Sequence, residues 1–173
     1  IRISMFKEFP YLYDGNLDYE INYLETYFRS HNSRILLIFN DDEIVGFSSA
    51  IPLADEEDEV KKPFLDLNID CSEFLYIGEL MIMEEFRGKG YLRKFIENHT
   101  KFARDNNFKA LVFMAVVREE DHPEKPREYK HPDIIWEHFG FKPTNIFVDF
   151  SWKRIDIVNL HDTDYFLKKK EMA

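Results

Sequence analysis

Residues 75 to 117 constrain the fold more than any other stretch. Leu75 to Met83 is an apolar run of strand length, followed by Phe86-Arg87-Gly88-Lys89-Gly90. From about Tyr91 the spacing changes. Leu92, Phe95, Ile96, His99 and Phe102 recur on one helical face, with Arg93, Lys94, Glu97, Lys101 and Arg104 on the other. Asn106-Asn107 ends that helix, and Ala110 to Val117 is a near-continuously apolar strand of the kind buried on both faces. Strand, helix and strand in this order predict a right-handed parallel crossover. Gly88 and Gly90 sit where the backbone must bend and approach something closely. The helix start directs free N–H groups and a partial positive charge at that turn, and Arg87 and Lys89 add charge, so the turn suits phosphate oxygens. On those residues alone an ordinary strand-to-helix turn is an equal reading.

The flanking chain adds mostly antiparallel elements. Ile1 to Phe9 has near-helical spacing and Pro10 stops it. Tyr11 to Asn16 is a turn-rich loop with two tyrosines, Tyr11 and Tyr13, that packing does not readily explain. A helix follows over Leu17 to Arg29, where Tyr23 and Tyr27 read as core residues. Ser33 to Phe39 and Ile44 to Ile51 form a hairpin, ended by Pro52. The acidic run Asp55 to Glu59, with Lys61, Lys62 and Pro63, reads as a solvated loop that Phe64 and Leu65 tuck back. Arg118 to Pro132 is polar and proline-broken. Ile134 to Phe139 is a short helix stopped by Gly140, and strands are expected from Phe141 and over Ile146 to Val158. A terminal helix is expected from His161.

Bulk properties exclude several classes. With 173 residues, 45% of them apolar, the chain can bury one real core, and we expect a single domain over residues 1–173. No apolar run reaches the roughly 18 residues of a membrane span, so no membrane partner is expected. The net charge of −10 argues against nucleic-acid binding and mildly favours a cationic small molecule. Cys71 is the lone cysteine, in a polar loop without catalytic context, which fits a reducing, cytoplasmic setting. The expected assembly is a monomer or homodimer.

Arg87 to Leu92 resembles the acetyl-CoA pyrophosphate loop of the GNAT N-acetyltransferases, whose pattern is Arg or Gln, two residues, Gly, one residue, then Gly or Ala. Arg87 and Gly90 match, and Leu92 stands where Gly or Ala is usual. Trp136 to Phe141 resembles the family's helix-to-Gly-Phe closing motif. The resemblance implies an α+β fold: a mixed, mostly antiparallel sheet flanked by helices, with one parallel strand-helix-strand step at the cofactor site. It leads us to expect a further strand upstream of Ile1. It implies acetyl-CoA as cosubstrate, with Leu80, Met81, Ile82, Arg87, Gly88, Lys89, Gly90, Tyr91 and Leu92 holding it. It implies transfer to a primary amine by direct attack in a ternary complex, with Tyr11 and Tyr13 on the acceptor wall. The acceptor would be a small molecule or an exposed amino group.

Amine attack on a thioester needs a neutral amine, and a primary alkylamine has a pKa near 10.4, so an acceptor for its proton is required. In the family that residue lies on the strand before the loop, and Glu79 matches. By alternation Glu79 shares a face with Leu75, Ile77, Met81 and Met83, where a carboxylate is costly without a partner or a task. The alternative is a structural Glu paired with Arg or Lys. The family's acid is a tyrosine four residues before Gly-Phe. Here that position is Trp136, whose indole cannot deliver a proton. Tyr129 is the first replacement, then His122 and His131. His122 and His131, nine apart among prolines, do not have metal-ligand spacing, so no metal is expected. Leu92 and Trp136 also motivate a second reading, a non-catalytic acyl-CoA-binding sensor or interaction domain. A third is a structural domain whose glycine turn holds nothing.

Overall fold

The structure is a computed structural model that describes residues 1–129, 133–149, 152, 153, 155 and 166–172. The chain runs α1 (Arg2–Met5), α2 (Leu17–Arg29), β1 (Arg34–Asn40), β2 (Glu43–Pro52), α3 (Asp58–Asp66), β3 (Phe74–Ile82), α4 (Tyr91–Asp105), β4 (Ala110–Val116), α5 (Asp133–His138), β5 (Phe141–Asp149) and β6 (Phe166–Met172). Single 3-10 turns precede α3, β3 and the glycine turn. The six described strands form one sheet in the order β1-β2-β3-β4-β6-β5. Every pairing is antiparallel except β3 with β4. This is the α+β architecture the sequence predicts, with its one parallel step at the crossover.

The sheet divides the core. On one face Tyr27, Ile51, Leu53, Phe64, Tyr76 and Val112 pack beneath α2 and α3. On the other Leu75, Ile77, Ile96, Leu111, Phe113 and Phe141 pack beneath α4 and α5. Helix α2 begins at Asn16, whose side chain accepts the Tyr19 N–H at 3.0 Å, and Asp18 and Glu20 complement the dipole of its first turn. Helix α4 ends at Asp105 with Asn106 as its C-cap, and Asn107 takes a left-handed conformation at φ 63°. These bounds follow the periodicity closely, because each helix carries its stop signals in the chain.

Six expectations are corrected. The first helix is only one turn long, over Arg2–Met5, because the residues before Pro10 turn back into the loop. The acidic run is not a solvated loop. It forms a 3-10 turn and α3, with Val60 and Phe64 on the buried face four residues apart. Phe64 tucks in as expected, but Leu65 is exposed. Cys71 is buried rather than in an open polar loop. One strand, β5, runs from Phe141 through Ile146, with an irregularity between Pro143 and Phe147 where the proline cannot donate to the ladder. The terminal helix is replaced by β6, recruited between β4 and β5. Residues 150, 151, 154 and 156–165 of the expected strand and helix lie outside the described residues.

Phe64 is 1% exposed and Leu65 56% exposed, so the two neighbours separate core packing from composition. Phe64→Ala should destabilise the protein by about 3–5 kcal/mol in urea unfolding. Leu65→Ala should stay within about 0.5 kcal/mol of the parent.

Candidate functional site

The site begins with a fault in β3. Ser49 pairs with Glu79 and Ala50 with Ile77, so Gly78 is an extra residue, a bulge. Its lack of a side chain is required: a Cβ there would stand 1.8 Å from the Tyr27 hydroxyl oxygen. The bulge shifts the alternation by one. Leu75 and Ile77 pack toward α4, as does Leu80, whereas Glu79 faces the Tyr76 side. This corrects the expectation that Glu79 shares a face with Leu75 and Ile77. The parallel ladder also stops here: Ile77 and Phe113 are the last partners of β3 and β4. Beyond them the strands part, and the β3 edge from Gly78 onward lacks a β4 partner.

A cleft of about 800 Å³ opens at this parting, lined by Gly78 to Met81, Arg87, Phe113, Tyr129 and Trp136 among others. Arg87, which lines this cleft, leads into the glycine turn, where Gly88 (φ 74°) and Gly90 (φ 82°) adopt left-handed conformations and a Cβ at either would meet nothing within 4 Å. The glycines therefore serve backbone shape and leave open space above the turn. No side chain caps α4, so the N–H groups of its first turn keep their capacity for an anion. Arg87 Nε donates to the Ile82 carbonyl at 3.0 Å, which folds the turn, while its side chain remains exposed. The Lys89 ammonium lies 4.5 Å from the Phe86 ring centre. Leu92 turns into the core against the α4-side cluster, so its bulk does not crowd the turn.

On the other side of Gly78 and Glu79 lies a second cavity of about 140 Å³, walled by Phe6, Tyr11, Tyr13, Tyr23, Tyr76 and Trp152. The two spaces share Phe6, Tyr11, Gly78, Glu79 and Met114, so they meet at the bulge. Glu79 is buried there. One of its oxygens pairs with Arg2, which also pairs with Glu20, and the other accepts the Ser49 hydroxyl. The Arg2 guanidinium lies 4.2 Å from the Tyr23 ring centre and 4.9 Å from that of Phe6. Burial lowers the Arg2 pKa, but Glu79, Tyr23 and Glu20 outweigh it and the net shift is upward. The Ser48 hydroxyl donates to the Glu79 carbonyl at 2.7 Å, which leaves His99 Nε2, 2.7 Å away, to donate to Ser48. His99 is thus the hydrogen-bonded core residue expected. Burial, aided by Arg34, lowers its pKa to about 3, so it is neutral.

Tyr11 is fixed by its backbone: its carbonyl accepts from Trp152 Nε1 at 2.8 Å and from Arg118 at 3.3 Å. Burial, with Glu79, raises its hydroxyl pKa to about 12. Tyr13 packs on Phe6 and Tyr19, and burial raises its pKa too. Tyr129 lines the cleft with its ring 4.7 Å from Phe9, and burial, with Asp133, raises its pKa, so it keeps its proton. Trp136 packs on Phe113 at 4.5 Å rather than under Tyr129. The His122 ring faces Phe9 and its Nδ1 accepts the Glu124 N–H. His131 lies outside the described residues.

Sequence reasoning missed three contributors: Arg2, Ser49 and Glu56. Glu56 is 3% exposed and accepts the Tyr27 hydroxyl at 3.0 Å. Burial pushes its carboxyl up to about 7, against the Glu57 N–H and the Tyr27 hydroxyl, which pull it down. A carboxylate inside an acidic run gives no signal of this. Gly78 beside Glu79 in an apolar strand was the readable sign of a bulge.

A family model described as the Acetyltransferase (GNAT) family matches residues 3–126. No curated protein sequence matches the chain. Solved structures similar in fold include an IAA acetyltransferase from Bacillus cereus ATCC 14579 (13% identity, 99% of this chain and 91% of that one, TM-score 0.57). Another is a GNAT family acetyltransferase from Elizabethkingia anophelis with acetyl-CoA bound (18% identity, 93% and 86%, TM-score 0.55). A third is an N-acetyltransferase from Staphylococcus aureus Mu50 (14% identity, 91% and 77%, TM-score 0.56).

The Glu56 carboxyl, raised from 4.5 to about 7, binds its proton more tightly folded than unfolded. The native state therefore holds more protons between those pH values, and stability falls as pH rises through them. The difference is on the order of 3 kcal/mol. Urea midpoints measured from pH 4.5 to 8 should show this loss in the parent, and Glu56→Gln should flatten it.

Proposed function

The chain belongs to the GNAT acetyltransferase family, and on that premise we propose that it transfers the acetyl group of acetyl-CoA to a primary amine by direct attack in a ternary complex. The observation that carries the reading is the meeting of two spaces at Gly78 and Glu79. The 800 Å³ cleft reaches Arg87, next to the open glycine turn, and the smaller aromatic cavity adjoins it. Diphosphate oxygens would lie against the Gly88–Leu92 amides with Arg87 and Lys89. The pantetheine arm would follow the unpaired edge of Leu80, Met81 and Ile82, where a backbone N–H can stabilise the oxyanion. The amine would enter past Tyr11 and Tyr13, and Glu79 is the carboxylate beside the reacting carbon. Attack forms the C–N bond, collapse breaks the C–S bond, and Tyr129, which keeps its proton, can supply it to the departing thiolate. The domain would be single and act in the cytoplasm without a metal.

Calorimetric titration with acetyl-CoA tests the cofactor half. The parent should bind, and Arg87→Glu should weaken binding at least tenfold, about 1.4 kcal/mol. No binding by the parent overturns the reading. An amine screen tests the other half: Glu79→Gln should lower kcat/KM for the amine by about a hundredfold or more at neutral pH, with acetyl-CoA affinity nearly unchanged. Tight acetyl-CoA binding without transfer to any amine would instead favour a non-catalytic sensor.

A further inference from the structure

Glu79 is not the only carboxylate on the acceptor cavity. Glu56 also lines it, buried, at the end of a hydrogen-bonded chain. The Tyr27 hydroxyl donates to Glu56 Oε1 at 3.0 Å, and the Tyr23 and Tyr27 hydroxyl oxygens are 3.0 Å apart. Tyr27 has one hydroxyl hydrogen and Glu56 takes it, so in the Tyr23–Tyr27 contact Tyr23 is the donor. The chain therefore has a direction. It leaves the Tyr23 oxygen with its lone pairs available, on a side chain that lines the same cavity as Glu79.

We propose that protons leave the acceptor amine through the Tyr23 and Tyr27 hydroxyls to Glu56, while Glu79, paired with Arg2 and Ser49, holds the ammonium in place. This rests on the amine-transfer reading above. Three features support it. The Gly78 bulge exists in a form that only glycine allows, because the Tyr27 hydroxyl occupies the space of its Cβ. One Glu79 oxygen is paired with a guanidinium and the other accepts a hydroxyl, whereas Glu56 accepts from the Tyr27 hydroxyl and the Glu57 N–H and, among the described residues, has no ion-pair partner. The groups facing Glu56 are Tyr23 and Tyr27 from α2, Tyr76 and Glu79 from β3, and Glu57 from its own turn. Burial raises Tyr23, Tyr27 and Tyr76 well above the usual tyrosine value, so the hydroxyls pass protons on and do not ionise. A group near 7 also receives a proton from an ammonium near 10.4 far more readily than one near 4.5.

The protons balance. The ammonium gives one to the Tyr23 oxygen, the Tyr23 proton moves to Tyr27 and the Tyr27 proton to Glu56, leaving a neutral amine and a neutral carboxyl. After attack on the thioester carbon Tyr129 protonates the leaving thiolate, and the second proton of the nitrogen restores Tyr129. Glu56 returns its proton to solvent once the products depart.

The test is the pH dependence of kcat/KM at saturating acetyl-CoA, with phenethylamine or the fastest amine of the screen. The parent should rise with pH and level off above a limb near 7. Glu56→Gln should lower the rate at pH 7 by about a hundredfold and abolish that limb. Tyr27→Phe and Tyr23→Phe, which keep the rings, should do the same. Glu79→Gln should raise KM and keep the limb. A limb that survives in Glu56→Gln and Tyr27→Phe, with rates within about threefold of the parent, overturns the relay. So does a limb lost only in Glu79→Gln. A parent that binds acetyl-CoA but acetylates no amine overturns the transfer reading itself, and the relay falls with it. A structural role for Glu56 would move the unfolding midpoint and leave the limb in place.

Discussion

The Gly78 bulge is the constraint on which the rest of the site depends. An extra residue in β3 removes it from register with β2 and ends its pairing with β4 one residue earlier, at Ile77 and Phe113. Two consequences follow from one residue. A backbone edge is freed where a ligand can lie, and the next side chain, Glu79, is turned to the opposite face of the sheet. The bulge is held from both sides. The Tyr27 hydroxyl fills the space above Gly78, and Ser48, backed by neutral His99 on α4, grips the Glu79 carbonyl. Helices from both layers therefore bear on adjacent residues of the bulge.

The electrostatics follow from that turn. A carboxylate delivered into an aromatic cavity needs compensation, and Arg2 supplies it from a one-turn helix whose guanidinium also spans Glu20 and stacks on Tyr23 and Phe6. Removing one member of such a group leaves a buried charge unpaired, so Arg2 and Glu79 are energetically one unit. The aromatic walls exclude water and sharpen these interactions. The same exclusion raises Tyr11, Tyr23, Tyr27, Tyr76 and Glu56, all by burial first. One environment thus leaves the hydroxyls protonated and brings the Glu56 carboxyl up to about 7.

Much of the fold was legible because its signals are local. The glycine turn, the face of α4, the stop at Asn106-Asn107 and the bounds of α2 are each written in a few adjacent residues. The reading of that turn as an anion site rests on the same kind of local signal, Arg87, Gly88, Lys89 and Gly90 in a row. Three things were not. Alternation counted from Leu75 put Glu79 on the wrong face, because a bulge breaks the period that the count assumes. Glu56 sat in a run of charges, and only the three-dimensional approach of Tyr27 distinguishes it from Asp55 and Glu57. The strand at 166–172 is charged and polar, and it is a strand because β4 and β5 offer it backbone partners, not through its own pattern.

These failures share a cause that bears on function. Periodicity reports where the chain obeys the packing of a regular element, and a reactive site is where it does not. Here the departures converge: a bulged glycine, a carboxylate turned off its row, a second carboxylate drawn in from an acidic run and an arginine from the first turn of the chain all meet around one cavity. Each costs stability by itself, through lost pairing or a desolvated charge. Their concentration at the place where β3 and β4 part is what singles it out as the candidate site. A strand that simply continued the ladder would have kept the regular alternation and placed no carboxylate in this cavity.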